Sequence, residues 1–511
     1  MAEFDVIVAG AGPSGLILAA ELRLAGARPL VLERQPQIRA VAKAGGLGGR
    51  ILDLLRYRGV LERFEAASEM GRPEPRFPFG GLHIDLTRLS GPPPMEALLL
   101  PQPQIERLLE QYAVELGSEV RRGHELVGLR QDEAGATAQV FGPDGPYQAR
   151  ARYLVGCDGV RSRVRELAGI AFPGSTYPEV NRLASTTMPS SVTLREDGDY
   201  DVAGYGRLRS GYTQTERGVF AVASYTPGDL GVYTSEDEDH DYDDDVPMTL
   251  DELRASIRRV LGAELPLGEP TRLTRFTFGA RHVEQYRAGR VLVAGDAAHQ
   301  FPSGGVALGA GMLDSVNLAW KLAACVHGWA PDGLLDSYHD ERRFANARTL
   351  RHTQAQVALR RGHDEASEAL REIFLELVTA DEQPLRRIGS LIAGSDIRYP
   401  SPDPGRHPLA GTFAPDLALA AGSGPTSVAE LMRPARPVFL DLAGRPELRE
   451  VAGAWRGRVQ TFAARCEDRP ADALLIRPDA HVAWASAVGE PAEVAAPALR
   501  EALARWFGAQ C

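Results

Sequence analysis

The sequence predicts an α/β fold in which a helix-wrapped parallel sheet is interrupted by a mostly antiparallel sheet and followed by a separate C-terminal module. Three observations carry this expectation. The chain opens with strand, glycine turn, helix and strand in direct succession. Residues 185–278 change to a Tyr-, Thr- and Val-rich alternating texture, the pattern of half-buried strands. A Pro- and Gly-rich stretch, 400–411, then precedes short apolar strands and a terminal helix. These shifts place boundaries at 1–175, 176–284, 285–398 and 399–511, with an excursion of the first segment over 73–100.

Taken in order, Phe4 to Ala9 is a short apolar run, followed at once by Gly10, Ala11, Gly12, Pro13, Ser14 and Gly15. Helix formers continue to Gly26, and a second apolar run, Pro29 to Leu32, closes on Glu33 and Arg34. This is the dinucleotide-binding (Rossmann) fingerprint. Gly10 permits the tight turn, Gly12 lets the backbone approach a pyrophosphate, and Gly15 lets the helix pack on the strand. The helix N-terminus presents unpaired N–H groups to the phosphates, and Glu33 is placed to accept from a ribose hydroxyl.

Beyond it, Ala44-Gly45-Gly46-Leu47-Gly48-Gly49-Arg50 reads either as close backbone approach to a ligand or as a flexible linker, and a helix follows to Gly59. Gln104 to Leu116 is an amphipathic helix, and Val120 to Arg150 a meander of strands. Leu250 to Leu261 and Leu313 to His327 read as helices, and helical pattern dominates to about Ile392. In the last module Val438 to Leu442, Ala473 to Ile476 and Val482 to Ala485 are strands, and Ala495 to Trp506 is a helix.

Two later motifs point to FAD. Asp158-Gly159 and Gly295-Asp296 each end an apolar strand, more than a hundred residues apart. A dinucleotide with a ribityl chain needs a carboxylate acceptor distant from the pyrophosphate, and Asp296 suits that. The loop Pro302 to Gly311 contains Gly304, Gly305, Ala307, Leu308 and Gly309 and leads into a helix, so its backbone N–H groups can face a flavin oxygen. His299 reads as a structural hydrogen bonder.

On these motifs the chain resembles the single-component FAD-dependent aromatic hydroxylases, in the branch that acts on aromatic polyketides. Further support comes from Pro101-Gln102, Asn317-Leu318-Ala319-Trp320-Lys321-Leu322 and Asp336-Ser337-Tyr338-His339-Asp340-Glu341-Arg342-Arg343. The resemblance implies that Gln102, Asp296 and the glycine loop line the FAD site, and that 399–511 is thioredoxin-like. It implies NAD(P)H as transient reductant, O2 as oxidant and a flavin C4a-hydroperoxide that hydroxylates a polycyclic aromatic polyketide; Baeyer–Villiger oxidation is the alternative. Arg50 is the candidate catalytic cation if it lies over the flavin, or else the partner of a nearby acid. Lys43 stands where the family has arginine, and Val306, Ala307 and Gly309 replace the usual Gly-Gln-Gly-Leu-Asn pattern around Leu308. Substrate contacts are expected from Tyr205, Arg207, Tyr212, Tyr225 and Phe278. A flavin oxidase, or a binding protein that sequesters an aromatic drug, would use the same motifs.

Net charge is −11, which argues against nucleic acid or an anionic membrane as partner. Glu236 to Asp245 holds eight acids in ten positions and reads as a solvated loop. Four scattered cysteines without a CxxC give no metal site, no disulfide framework and no redox motif in the last module. No leader and no membrane-spanning run is evident, so a cytoplasmic protein is expected, with a structural or homodimerising role for the C-terminal module.

Overall fold

The computed structural model describes residues 4–39, 44–68, 71–224, 228–239, 242, 246–302, 305–362, 364–401, 407–422 and 424–510. Val6, Ile7 and Val8 are fully buried, as a strand sandwiched on both faces must be. They sit centrally in a six-stranded sheet whose order is 287–288, 291–293, 153–156, 6–9, 29–33, 119–122. All neighbours in it are parallel except the first pair, a hairpin. The chain leaves the 6–9 strand toward one edge and later returns to its other side with 153–156. That reversal opens a crevice at the strands' C-terminal ends, where Gly10 and Asp158 lie. The Pro13–Leu24 helix packs against the long Ala307–His327 helix, and the meander 125–151 covers the opposite face through Leu126, Ala138 and Val140.

The second domain is a six-stranded antiparallel sheet, 211–215, 218–223, 229–237, 174–187, 270–282 and 299–300 in spatial order. The Leu250–Leu261 helix covers one face, capped by the Thr249 side chain and ended at Gly262 in the left-handed conformation (φ 74°). The other face meets the Asp336–Arg361 helix through Phe278 and Arg360. The excursion forms its own two-stranded hairpin, 76–79 with 82–85. It packs on the helices Asp336–Arg361, Glu365–Ala380 and Glu382–Ala393, with Phe79 stacked on Phe374 at 5.4 Å.

The acidic run departs from its reading as a solvated loop. Glu236 and Asp237 end the Asp229–Asp237 strand, and Glu236 is buried. Arg182, also fully buried, pairs with Glu236 at 3.3 Å, Glu238 at 2.8 Å and Glu252 at 2.9 Å. The first acids of the run thus neutralise an interior cation, a requirement that charge density alone does not reveal. Residues 240–241 and 243–245 of the run lie outside the described residues.

In the C-terminal domain the strand Val438–Asp441 pairs parallel with Gln460–Arg465 and antiparallel with Ala473–Ile476, which pairs with Val482–Ser486. With helices at Pro446–Gly453 and Ala492–Phe507, this is the thioredoxin-like order 2-1-3-4. Among the described residues no helix is long and apolar enough to cross a membrane.

Candidate active site

The three fingerprint glycines separate by what a side chain would meet. At Gly10 (φ 103°) a Cβ would lie 2.4 Å from the Cys157 carbonyl oxygen, and at Gly15 it would lie 1.9 Å from that of Gly10. Both are required by packing. At Gly12 a Cβ would meet nothing within 4 Å. Its smallness serves no contact within the protein, which leaves a cradle open at the N-terminus of the Pro13–Leu24 helix. That terminus carries no side-chain cap, so its N–H groups remain available to an anion. Glu33 accepts from the Ala11 amide at 2.8 Å and the Gln35 amide at 2.8 Å, fixing its carboxylate against the glycine turn.

The second signature packs on the first. A Cβ at Gly295 (φ 64°) would touch the Ser14 hydroxyl oxygen at 2.5 Å, and one at Gly311 would touch it at 2.7 Å. The Ala307–His327 helix is also uncapped by any side chain, so two helix N-termini converge beside Asp296, an exposed carboxylate in the turn 295–297. At Gly305 (φ 91°) the space a Cβ would fill is open. Gln102 accepts from the Ala44 amide at 3.2 Å and donates to Glu106 at 2.7 Å. This donor and acceptor set fits FAD: the amides could hold the pyrophosphate, Glu33 the ribose, and Asp296 with the loop amides the ribityl chain and ring.

Asp158 is engaged differently. Its carboxylate accepts from the Ser162 hydroxyl at 2.5 Å and the Val164 amide at 3.0 Å, and burial raises its pKa. It braces the turn after the 153–156 strand. The glycine stretch also departs from its sequence reading, since only Gly45 borders open space. Gly46 backs onto Leu98, Gly48 onto Met95, and Gly49 (φ 73°) onto Ala393. Three of the four glycines are therefore explained by protein packing.

Arg50 opens the Arg50–Tyr57 helix and has a nearby acid as its partner, the second of the two expectations for it. Its guanidinium pairs with Asp53 at 2.8 Å, lies 4.7 Å from the Phe413 ring centroid, and borders a cavity. The opposite walls of that cavity include Gly309, Arg342, His352 and His481. Burial pushes both histidines down to about 4, so they are neutral acceptors or donors at physiological pH. Arg342 is held by Asp314 at 2.6 Å and by the Tyr399 hydroxyl at 2.8 Å. Asp314 also bonds His299 Nε2 at 2.8 Å, the Gly295 amide at 3.1 Å and Asn346 at 2.8 Å. Burial would raise the Asp314 carboxyl, but Arg342 and His299 hold it well below the usual carboxylate range.

The Asp336–Arg361 helix joins this cavity to the antiparallel sheet. Arg342, Thr349 and His352 line the cavity, and Arg360, further along, lies over the Phe278 ring at 5.1 Å and pairs with Glu179 at 2.9 Å. On the same sheet face stand Tyr212, Tyr233 and Phe276, with Tyr212 edge-on to Tyr233 at 6.0 Å and Phe276 edge-on to Phe278 at 5.3 Å. The Tyr233 hydroxyl donates to Asn181 at 2.5 Å. Two expected contacts stand apart. Tyr205 lies in the turn of an exposed hairpin, and Arg207 there pairs with Asp199 at 2.7 Å and Asp197 at 3.0 Å. Lys43, Tyr225 and Gly304 lie outside the described residues.

Arg342, Asp314, His352, Phe413, His481 and Tyr233 were missed by sequence reasoning. Asp314 and Lys321 did carry a signal, as charged residues inside an otherwise apolar helical run that must be buried.

Fold and site define a FAD-binding oxidoreductase, and comparison with known proteins makes the class specific. Residues 3–353 match the FAD binding domain family, and residues 407–510 match the aromatic-ring hydroxylase C-terminal family. The chain belongs to the FAD-dependent aromatic-ring hydroxylases and is a flavin-dependent monooxygenase. It is 40% identical over 513 residues, 99% of each chain, to the 12-dehydrotetracycline 5-monooxygenase/anhydrotetracycline 6-monooxygenase of Streptomyces rimosus. It is 38% identical, over 98% of each chain, to the dialkyldecalin synthase of Streptomyces rugosporus. The solved anhydrotetracycline hydroxylase from Streptomyces rimosus matches with a TM-score of 0.87 at 37% identity, covering 99% of this chain and 100% of that one.

Proposed function

We propose that this enzyme hydroxylates a polycyclic aromatic polyketide in the cytoplasm, taking electrons from NAD(P)H and one oxygen atom from O2. The observation that carries the reading is the Asp336–Arg361 helix, which lines the Arg50 cavity with Arg342, Thr349 and His352 and, further along, lays Arg360 over Phe278 of the aromatic sheet face. A flat multi-ring ligand stacks on Tyr212, Tyr233 and Phe278, because aromatic pairs favour offset or edge contacts worth about 0.5–1.5 kcal/mol each. Its reacting end then reaches the cavity. Bound FAD supplies oxygen activation there. Arg50 stabilises negative charge on oxygen, and the neutral His352 and His481 can hydrogen-bond the hydroxyl of a phenolic substrate. The full-length likeness to a monooxygenase of tetracycline-type rings supports this substrate class.

The test is NAD(P)H consumption with and without polycyclic phenols under 18O2, with product masses read before and after mild alkali. A gain of one labelled oxygen that survives alkali is expected. A product that opens in alkali by taking up water identifies a lactone, and Baeyer–Villiger oxidation replaces hydroxylation. Peroxide alone with every aromatic would remove the oxygenase reading for these substrates.

A further inference from the structure

We propose that the C-terminal domain positions Arg50, with Phe413 as the positioning residue. The Arg50–Tyr57 helix begins at the cavity and has its far end fixed to the C-terminal domain at several points. The Tyr57 hydroxyl, buried, donates to the Ala414 carbonyl at 2.8 Å, and its ring lies 5.1 Å from that of Phe413. Arg58, fully buried as a side chain, donates to the Met432 carbonyl at 3.0 Å and the Pro478 carbonyl at 2.7 Å while pairing with Glu21 at 2.6 Å. At the cavity end Phe413 lies under the Arg50 guanidinium at 4.7 Å, and Asp53 holds it from the side. Phe413 is itself wedged by His481 at 5.6 Å, which stacks on Tyr399 at 4.4 Å. Tyr399 in turn bonds Arg342. Both cations of the cavity are therefore held through one aromatic stack, Phe413, His481 and Tyr399.

A lone i,i+3 ion pair on a part-exposed arginine is weak and leaves the side chain several rotamers. An arginine packed on an aromatic face gains an electrostatic contact with the ring and a defined plane. The ring, and not the acid, fixes where the charge points. The C-terminal module carries no CxxC and needs none for this role.

This rests on the reading of Arg50 as the cation facing the reacting oxygen, so the experiment has one arm that needs no substrate. Phe413→Leu keeps the bulk and removes the ring, Phe413→Trp keeps a ring, and Tyr57→Phe removes only the hydroxyl bond. Amide hydrogen exchange over residues 50–57 is followed in FAD-free and FAD-loaded protein. Exchange about tenfold faster in Phe413→Leu, with protection restored in Phe413→Trp, is expected. In the second arm, product formed per NAD(P)H should fall in Phe413→Leu to the level of Arg50→Ala. The double variant should be no worse, because both changes remove one interaction. If Phe413→Leu does not fold, Tyr57→Phe reports the same clamp by faster exchange over 50–57. Unchanged exchange and coupling in the folded variants overturn the proposal, as does a Phe413→Trp protein no better than Phe413→Leu. Faster exchange with unchanged coupling would keep the clamp and overturn its role in positioning the cation.

Discussion

At the scale of single residues, Gly12 and Gly15 should fail in opposite ways when replaced by valine. Gly15→Val drives a side chain into the Gly10 carbonyl, and the protein should not accumulate folded. Gly12→Val meets nothing inside the protein, so a folded, colourless enzyme with a near wild-type melting temperature is expected. Yellow Gly12→Val protein would show that the cradle is not the pyrophosphate site. Asp296→Ala should weaken FAD by about 1.5–3 kcal/mol, the usual value of a hydrogen bond to a charged group, read by titrating the apoprotein. The cavity histidines give a pH dependence. His352 and His481 titrate near 4 in the folded state and near 6.5 when unfolded, so the unfolded chain takes up protons first. Stability from this source is complete above about pH 6.5 and is lost toward pH 4, at roughly 1.4 kcal/mol per pH unit per histidine. Melting curves from pH 7 to 4.5 should therefore be shallower in His352→Leu than in wild type.

At the scale of elements, the sequence was most legible where periodicity and a glycine turn coincide. The opening strand, turn, helix and strand lie where the pattern put them, and so does the Leu250–Leu261 helix. It was least legible where a partner distant in sequence decides the outcome. Nothing local to Glu236 and Glu238 announces Arg182, more than fifty residues earlier, and nothing in the glycine stretch announces Leu98, Met95 and Ala393 behind it. The cavity was hidden for the same reason, since it draws on residues from Arg50 to His481. One consequence reverses an expectation from charge density. Deleting residues 236–245 removes Glu236, Glu238 and the Tyr242 hydroxyl from a buried guanidinium and leaves it Glu252 alone, and breaking a buried pair typically costs about 3–5 kcal/mol. The deletion should lower the melting temperature sharply, whereas deleting only 243–245, which spares Tyr242 and its bond to Arg182, should have a small effect. Equal stability of both deletions with the full chain would show that Arg182 finds other partners.

For the whole molecule, the C-terminal domain is joined to the flavin domain by charges inside the protein. Lys321 and Glu341 pair at 2.7 Å, and Arg477 joins Glu341 at 2.9 Å and also pairs with Asp479. Asn317 donates to both Glu341 and Asp479. With Asp314 and Arg342 this makes three acids and three bases, all buried, whose charges cancel. Burial would raise the Glu341 carboxyl, but Arg477 and Lys321 hold it low, while burial brings Lys321 down to about 8. A fragment ending at residue 398 keeps Lys321 and Glu341 but loses Arg477 and Asp479. Such a fragment should be insoluble or free of FAD on expression, and a soluble yellow fragment would show the two domains to be independent.

The same network sets an order in time. A polypeptide leaves the ribosome N-terminus first. The Ala307–His327 helix and its buried charges are therefore synthesised long before the strand that carries Arg477. Through Asp314, that helix also holds the Gly295 amide beside Asp296. Docking of the last module completes this network, so loading with cofactor is expected to follow release of the finished chain. Ribosome-stalled chains ending before residue 477 should retain no FAD, while the released protein takes it up.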